Sequence, residues 1–352
     1  CRTIYNIINH YSLTSNDTCM IVMPLFHVHG LIGCLLSTLT SGGIGVIQLN
    51  KFSAKRFWKQ MYNCDCSWYS GVPTIHQILL KNYDKDFYPY FYGNNDSNKL
   101  NYLNKRWRFV RSCSAALPAS VLEKLEKTFK KPYLEAYAMT EASHQICANP
   151  LPINGVHKAA SVGRPVGVKV LILNDNNEAL KIGEIGEISI QGINVTDGYL
   201  NRPDANKKCF VNVPGYNGKY FRTGDQGKID NDGYVFLTGR LKEMINRGGE
   251  KIAPLEIDNV ILRHPNVSVA VAFGVPDQMY GEVVHCAVVL KDTNVNESKM
   301  KKEILKLCKD NLAKYKIPIK LYISTFVPKT ATGKIQRRIV AKYFLDKLKS
   351  KL

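Results

Sequence analysis

Short β-rich runs alternate along this chain with segments whose apolar residues recur at helical spacing. Residues 168–173 and 187–191 are strand-like runs bounded by Gly and Asn/Asp turns. Between Pro118 and Phe129 the apolar residues fall on one helical face, and Pro73 stands where proline fits the first turn of a helix. The alternation predicts an α/β protein in which helices pack on sheets.

The pattern changes after about residue 240. Residues 257–261 predict a short helix after Pro254, residues 267–273 and 284–290 read as strands, and further helices follow. Strands mixed with helices over this length are typical of a small, separate α+β domain. The sequence Gly239-Arg-Leu-Lys242 is the predicted boundary.

The chain is long enough for two domains, with 352 residues of which 45% are hydrophobic and 22% charged. It starts at Cys1 with no signal-like segment, and we expect it to be an N-terminally truncated piece of a domain. Its longest apolar stretch, residues 31–39, is too short for a membrane span. Its ten cysteines have no metal-ligand spacing, which favours reduced thiols inside a cell.

The net charge is +19, and residues 299–352 carry 16 Lys and Arg against 3 Asp and Glu. One interpretation is compositional bias, since Lys and Asn are plentiful throughout the chain. A second is attraction to the phosphates of ATP and coenzyme A, and a third is nucleic-acid binding. Because no DNA- or RNA-binding motif accompanies the charge, we expect no nucleic-acid partner.

Two motifs suggest a nucleotide site in the first part of the chain. In Tyr137-Ala-Met-Thr-Glu141, the Thr140 hydroxyl can donate to a phosphate oxygen and the Glu141 carboxylate can hold magnesium. In Tyr220-Phe-Arg-Thr-Gly-Asp225, the Asp225 carboxylate can accept hydrogen bonds from ribose hydroxyls. Taken singly, the first motif also fits a helix start and the second a β-turn.

Two further motifs follow in the basic part of the chain. In the stretch from Gly239 to Ile252, Arg240 can pair with phosphate or ribose, and Gly248-Gly249 provides a tight turn. The loop Pro328-Lys-Thr-Ala-Thr-Gly-Lys334 places Lys334 at its tip, where an ammonium can stabilise developing negative charge. An exposed lysine in a lysine-rich tail is the simpler alternative.

The four motifs occur together and in one order, and with them the chain resembles the adenylate-forming superfamily of acyl-CoA synthetases, luciferases and peptide-synthetase adenylation domains. The resemblance runs from about residue 10 to residue 345. Residues 24–30, 111–115, 135–145 and 329–338 are similar to the oxalate–CoA ligases of plants and fungi in particular. The resemblance to the superfamily implies a large N-terminal domain of mixed sheets with packed helices, partial here, and a smaller mobile C-terminal α+β domain.

The resemblance also implies an acid–CoA ligase that uses ATP with Mg²⁺, coenzyme A and a small carboxylic acid. The positions that match the family's nucleotide-binding residues are Glu135, Ala136 and Tyr137 on the adenine side, Thr140 for phosphate, Glu141 for magnesium, Asp225 for ribose, the basic residue Arg240, and Lys334 for the adenylation transition state.

The same resemblance assigns residues 1–239 to the large domain, residues 240–242 to a hinge and residues 243–352 to the small domain. Lys242 matches the hinge position, about which rotation would withdraw Lys334 and bring in Gly248 and Gly249 to line the channel for the pantetheine of coenzyme A.

The acid-binding residues follow from the oxalate–CoA ligase subgroup. Ser114 and His144 match its oxalate-binding positions, and His27, which with His29 flanks the same region, is the third residue that we assign to the acid. A ligase for a medium-chain or aromatic acid stays open as an alternative. So does an impaired binding or regulatory relative, because the family's phosphate loop is absent here and residues 41–45 do not replace it.

The chain ends in Ser350-Lys351-Leu352, which is the signal read by the peroxisomal import receptor. A lysine-rich helix can also end this way by chance. The sequence therefore predicts a peroxisomal or a cytoplasmic protein.

Overall fold

The computed structural model describes residues 2–48, 52–92, 97–330 and 335–349. The chain divides into two units. Unit 1 is Cys1–Thr223 with Lys228–Phe236, and unit 2 is Gly224–Gly227 with Leu237–Leu352. The main division thus falls at Leu237, close to the predicted boundary, and a short insert that contains Asp225 also belongs to unit 2.

A mainly parallel seven-stranded sheet organises unit 1, in the order β2-β1-β3-β4-β5-β6-β7. Its strands are β1 (Thr18–Ile21), β2 (Ile44–Ile47), β3 (Trp68–Gly71), β4 (Phe109–Cys113), β5 (Tyr133–Tyr137), β6 (Cys147–Ala148) and β7 (Arg164–Pro165). Strands β1 to β5 pair in parallel, and β6 and β7 are antiparallel additions at one edge. Every residue of β1, β3, β4 and β5 is buried, as expected for a parallel sheet covered on both faces.

Helices connect these strands. They are α1 (Arg2–Tyr11), α2 (Val28–Gly30), α3 (Ser37–Thr40), α4 (Ala54–Asn63), α5 (Pro73–Lys81), α6 (Tyr88–Phe91), α7 (Ser97–Arg106) and α8 (Ala119–Phe129), with π-helical turns at Leu31–Leu36 and Tyr83–Phe87. The predicted helices at Pro73 and after Pro118 are confirmed, and Pro73 occupies the first helical turn. An aromatic core that includes the fully buried Trp58 packs these helices against the sheet.

The second sheet has five strands in the order β10-β11-β9-β8, with one further strand, β12, beside β11. Its elements are β8 (Lys169–Leu173), β9 (Gly186–Gln191), α9 (Pro203–Cys209), β10 (Phe210–Asn212), β11 (Lys219–Ile229) and β12 (Val235–Arg240). The strands predicted at residues 168–173 and 187–191 are confirmed as β8 and β9.

Unit 2 contains a five-stranded sheet in the order β14-β13-β16-β15, with β17 beside β16. Its elements are β13 (Ile245–Arg247), β14 (Glu250–Ile252), α10 (Pro254–Ile261), β15 (Val267–Asp277), β16 (Gly281–Leu290), α11 (Glu297–Asn311), β17 (Lys320–Ser324) and α12 (Arg337–Lys349). The predicted α+β character of this segment is confirmed. Its core contains the apolar residues that predicted α10 and α11, among them Ile257, Val260 and Ile304.

No helix in the described part of the chain combines the length and the apolar character that crossing a bilayer requires. The nine cysteines in the described ranges are all free thiols. The C-terminal tripeptide Ser350–Leu352 lies outside the described residues, and the import signal stays a prediction.

A half-buried ion-pair network holds the start of α12 in unit 2. The Arg337 guanidinium donates to Glu243 at 2.9 Å and to the buried Asp258 at 2.7 Å, and also to the carbonyl oxygen of Ala272 at 2.9 Å. Burial raises the pKa of Asp258 despite the opposing effect of Arg337. The arginine therefore compensates a carboxylate that is costly to bury alone.

Replacing Arg337 with Met is expected to lower the free energy of unfolding of unit 2 by about 3–5 kcal/mol, because Asp258 keeps its burial and loses its cation. Arg338→Met is the matched control, since the neighbouring Arg338 is exposed, and its effect should stay below about 0.5 kcal/mol. Urea unfolding followed by circular dichroism measures both. Equal effects of the two substitutions would contradict the assignment.

Candidate active site

Three neighbouring parallel strands bring their carboxyl ends to one edge of the large sheet. Ser70 lies near the end of β3, Arg111 lies opposite it in β4, and Ser114 follows β4 directly. The loop after β5 carries Thr140, Glu141 and His144. Loops at the carboxyl ends of adjacent parallel strands form the crevice in which open α/β sheets bind ligands.

The buried centre of this edge is the guanidinium of Arg111. Its Nη1 donates to His144 Nε2 at 2.8 Å and more weakly to Ser70 Oγ at 3.4 Å, and its Nη2 donates to Gln145 Oε1 at 2.8 Å. Arg111, Ser70 and Gln145 have no exposed surface, and His144 has 1%. Within the described ranges, no Asp or Glu forms an ion pair with Arg111.

Two histidines stack within this cluster. The His29 and His144 ring centroids are 4.6 Å apart with planes inclined by 26°. His29 Nε2 lies 2.7 Å from Ser70 Oγ, and its Nδ1 lies 3.2 Å from Ser114 Oγ. The structure thus brings Ser114, His29 and His144 together, while His27 caps α2 by accepting a hydrogen bond from the His29 amide.

Three non-glycine residues in these loops have left-handed backbones. The φ angles are 70° at Ser114, 50° at Ser143 and 75° at His144. Such conformations are uncommon for residues with a Cβ and are often retained where a side chain must be held in one place. Two of the three are predicted acid-binding residues.

Asn194, which lies shortly after β9 of the second sheet, forms hydrogen bonds with the loop after β5. This buried amide donates to the carbonyl oxygens of Ala142 at 2.9 Å and Gln145 at 3.0 Å. Ser143 Oγ in turn donates to the Asn194 carbonyl oxygen at 3.2 Å. These bonds fix the backbone between Glu141 and Gln145 and hence the loop that bears His144.

Thr140 and Glu141 begin a single 3₁₀ turn, Thr140–Ala142, directly after β5. Thr140 is exposed, and the Glu141 carboxylate accepts a hydrogen bond from the Tyr199 hydroxyl at 2.7 Å. Burial, followed by this bond to Glu141, raises the pKa of Tyr199, which keeps its proton available for donation.

The oxygen ligands at and beside Glu141 suit a magnesium ion that is bound together with a substrate. No group of three or more His, Cys, Asp or Glu side chains in the described residues could hold a metal ion by itself. Magnesium usually takes one or two protein carboxylates and completes its coordination with phosphate oxygens and water. A single half-buried carboxylate beside an exposed threonine hydroxyl suits that mode.

Glu135, Ala136 and Tyr137 form the last part of β5. Ala136 packs in the core, while the Glu135 side chain is 5% exposed and accepts a hydrogen bond from the Leu117 amide at 3.3 Å. The Ala160 amide also lies within reach of this carboxyl. Burial raises the pKa of Glu135 to about 8, so the carboxyl is mostly protonated at neutral pH.

In unit 2, the predicted ribose and phosphate residues form an ion pair. Arg240 Nε donates to the buried Asp225 Oδ1 at 2.8 Å, while 63% of the Arg240 side chain stays exposed. Gly224, directly before Asp225, has a φ of 74°, a left-handed backbone conformation that favours glycine. The exposed part of the Arg240 side chain suits contact with a phosphate.

The Gly248-Gly249 turn joins β13 to β14. Its φ angles of 58° and 91° and the two-residue loop between paired Arg247 and Glu250 correspond to a type I′ hairpin turn, which needs positive φ at both positions. Lys242 is exposed in the 3₁₀ turn Leu241–Glu243. Lys334 lies outside the described residues, so its predicted role stays a prediction.

The sequence alone did not indicate several residues that the structure brings into this site. They are Gly33, Ser70, Arg111, Gln145, Asn194 and Tyr199. Arg111 and Gln145 lie in stretches that resemble the oxalate–CoA ligases, and this resemblance could have identified them as candidate site residues. The others lie outside every motif, and only the tertiary contacts identify them.

The raised pKa of Glu135 predicts a pH-dependent stability. An unfolded glutamate ionises near its ordinary pKa of 4.5, whereas the folded one keeps its proton up to about pH 8. The folded state binds more protons between these values, so its stability should fall as pH rises from about 5 to 8. Glu135→Gln should flatten this fall and raise the melting temperature at pH 8, as measured by thermal denaturation. An unchanged slope in the variant would contradict the assignment.

Comparison with known proteins identifies the family. Residues 1–200 match the AMP-binding enzyme family, and residues 256–334 match the AMP-binding enzyme C-terminal domain. The chain is 49% identical to an oxalate–CoA ligase of Saccharomyces cerevisiae over 99% of its own length and 60% of that protein. It is 48% identical to an oxalate–CoA ligase of Arabidopsis thaliana over 98% of its own length and 63% of that protein.

Solved structures of related enzymes have the same fold. ATP-bound MatB from Rhodopseudomonas palustris superposes with a TM-score of 0.82 at 28% identity, over 98% of this chain and 64% of that one. O-succinylbenzoate coenzyme A synthetase from Bacillus subtilis, in complex with ATP and magnesium, gives 0.77 at 28% identity, over 97% and 64%. The chain thus spans about 60% of the length of these relatives, and it belongs to the family of AMP-binding, adenylate-forming enzymes.

Proposed function

We propose that this protein is an AMP-forming acid–CoA ligase that converts oxalate to oxalyl-CoA. The observation that carries the substrate is the polar cluster at the carboxyl edge of the large sheet. Ser114, His29 and His144 are grouped around the buried cation of Arg111. A small dianionic acid needs several donors and a positive potential at short range, whereas a fatty or aromatic acid needs apolar walls.

The relatives support the same substrate. Two proteins that share almost half of their aligned residues with this chain are oxalate–CoA ligases, one from yeast and one from a plant. Their similarity covers both matched family regions of this chain, so it extends beyond the nucleotide-binding motifs.

In the first half-reaction a carboxylate oxygen of the acid attacks the α-phosphorus of ATP, and pyrophosphate leaves with the electron pair of the broken P–O bond. Thr140 donates its hydroxyl hydrogen to a phosphate oxygen, and Asp225 accepts from the ribose hydroxyls. The Lys334 ammonium stabilises charge on the transferring phosphoryl group. The Tyr199 hydroxyl orients the Glu141 carboxylate, which would hold magnesium, and the ion when bound would supply positive charge beside the phosphates.

In the second half-reaction the thiolate of coenzyme A attacks the acyl carbon, and AMP leaves. Lys242 acts as the hinge that removes Lys334 and presents the Gly248-Gly249 turn to the pantetheine. The type I′ geometry of that turn presents backbone with no side chain, which suits the wall of a narrow channel.

The proposal is tested with protein expressed from the complete natural gene and supplied with ATP, Mg²⁺ and coenzyme A. Pyrophosphate release is measured with oxalate, malonate, hexanoate and coumarate, and the thioester is identified by mass spectrometry. We expect oxalyl-CoA and the highest kcat/KM with oxalate. Turnover of hexanoate or coumarate without oxalate would assign another acid, and no turnover with any acid would favour a binding or regulatory protein.

The half-reactions should respond differently to loss of the Lys334 charge. Lys334→Ala is expected to slow acyl-adenylate formation about 10²- to 10³-fold, because one preorganised electrostatic contact to the transition state is lost. Formation of oxalyl-CoA from supplied oxalyl-adenylate should stay within about threefold of wild type, since the lysine is withdrawn in that step. Lys329→Ala, in the same loop, is the control. Equal slowing of both half-reactions would contradict the assigned role.

A further inference from the structure

Arg111 is an unusual residue to find at the centre of a parallel sheet. Its guanidinium is fully buried in β4, and in the described part of the chain its hydrogen bonds go to neutral groups, His144, Ser70 and Gln145. The Tyr11 hydroxyl also lies beside the guanidinium, and it is neutral too, since burial raises the pKa of Tyr11 to about 12. Burying a cation without an anion costs free energy that a structural role alone does not require, because apolar residues fill such positions at no charge cost.

The Arg111 bond determines the form of His144. A guanidinium has only N–H donors and keeps its charge, so the His144 Nε2 that lies 2.8 Å from Nη1 must be the acceptor. An imidazole that accepts at Nε2 is neutral and carries its hydrogen on Nδ1. We infer that Arg111 is a positioning residue, which holds His144 as a neutral Nδ1–H donor and supplies the fixed positive potential that selects a dianionic acid over a monoanionic one.

Gly33 supports the same ring from the opposite element. It lies in the π-helical turn Leu31–Leu36, and a Cβ at this position would overlap the Cδ2 and Nε2 atoms of His144 and lie 3.5 Å from Arg111 Nη1. Any larger residue must therefore displace the ring or break its bond to Arg111. Single π-helical turns inside helices occur frequently at functional sites, and here the turn delivers the one residue small enough for this contact.

The site therefore has two layers. The groups assigned to the acid are Ser114, His29 and His144. Behind them, Arg111 and Gly33 determine the position of the His144 ring, and Arg111 determines which ring nitrogen carries the hydrogen. Because the inner layer acts through His144, this inference rests on the proposed acid-binding role of that residue. It goes further by assigning the discrimination between dianionic and monoanionic short acids to Arg111.

Three variants of the complete protein test this inference. Arg111→Met removes the charge and the donor at similar length, Arg111→Lys restores a charged donor that cannot reach His144 and Gln145 together, and Gly33→Ala displaces the ring. Arg108→Met is the matched control, since Arg108 precedes the same strand and pairs with Asp17 at 2.6 Å. Melting temperatures are recorded for all four variants.

We expect Arg111→Met and Gly33→Ala to raise the KM for oxalate about 10- to 100-fold, because both changes remove the charge-assisted bond between Arg111 and His144. The KM for ATP should stay within about twofold, since neither change alters a predicted nucleotide-binding residue. Arg111→Met should also shrink the preference for oxalate over acetate, and Arg111→Lys should recover part of both effects. Arg108→Met should lower the melting temperature and leave the KM for oxalate unchanged. If all four variants shift the two KM values in parallel with melting temperature, the role of Arg111 is structural and the inference is overturned.

A spectroscopic measurement separates this inference from the proposed function. The ¹⁵N shifts of histidine-labelled protein, with the His144 signals assigned by their loss in His144→Gln, should show a hydrogen on Nδ1 and none on Nε2 in the wild type. Arg111→Met should abolish this preference. A wild-type protein with this signature and no oxalate turnover would refute only the proposed substrate, whereas a hydrogen on Nε2 would refute the role of Arg111 even in an active oxalate ligase.

Discussion

The buried Arg111 guanidinium makes the interactions on which the geometry of the proposed acid site depends. It reaches across three neighbouring parts of the sheet edge, from β4 to Ser70 on β3 and to His144 and Gln145 after β5. Each of these bonds is made in a region without solvent, where an unmet donor or acceptor is costly. The strands' parallel pairing brings the loops to one edge, and the guanidinium then determines how those loops are arranged.

The sequence predicted the fold to a large extent, because its main features are local. The apolar faces of α8 and α10 and the β-rich runs of β8 and β9 follow from side-chain periodicity, and Pro73 marks the start of α5. These patterns depend on neighbours within a few residues. The assignment of Asp225 to unit 2 was not predictable in this way, because it depends on which unit a short strand segment packs with.

The candidate site was less predictable for a related reason. The motifs indicate Thr140, Glu141, Asp225 and Arg240, because their predicted roles depend on residue type within a short stretch. The sequence predicts His27 as an acid-binding residue, whereas in the structure the His29 ring lies beside Ser114 and the His27 ring caps α2. Sequence alone does not distinguish the two, because the difference depends on how α2 directs each ring. Asn194 and Tyr199 contact the loop after β5 across sequence separations of 49 to 58 residues, and no local pattern reports such contacts.

The left-handed backbones at Ser114, Ser143 and His144 have a consequence for the evolution of this protein. A glycine at any of these positions would relax the chain, yet at Ser114 and His144 it would also delete a polar group of the proposed acid site. Selection for heat resistance alone would therefore favour changes that remove polar groups of the proposed acid site from this edge of the sheet. Laboratory stabilisation of the enzyme would have to exempt these loops and seek its gains elsewhere.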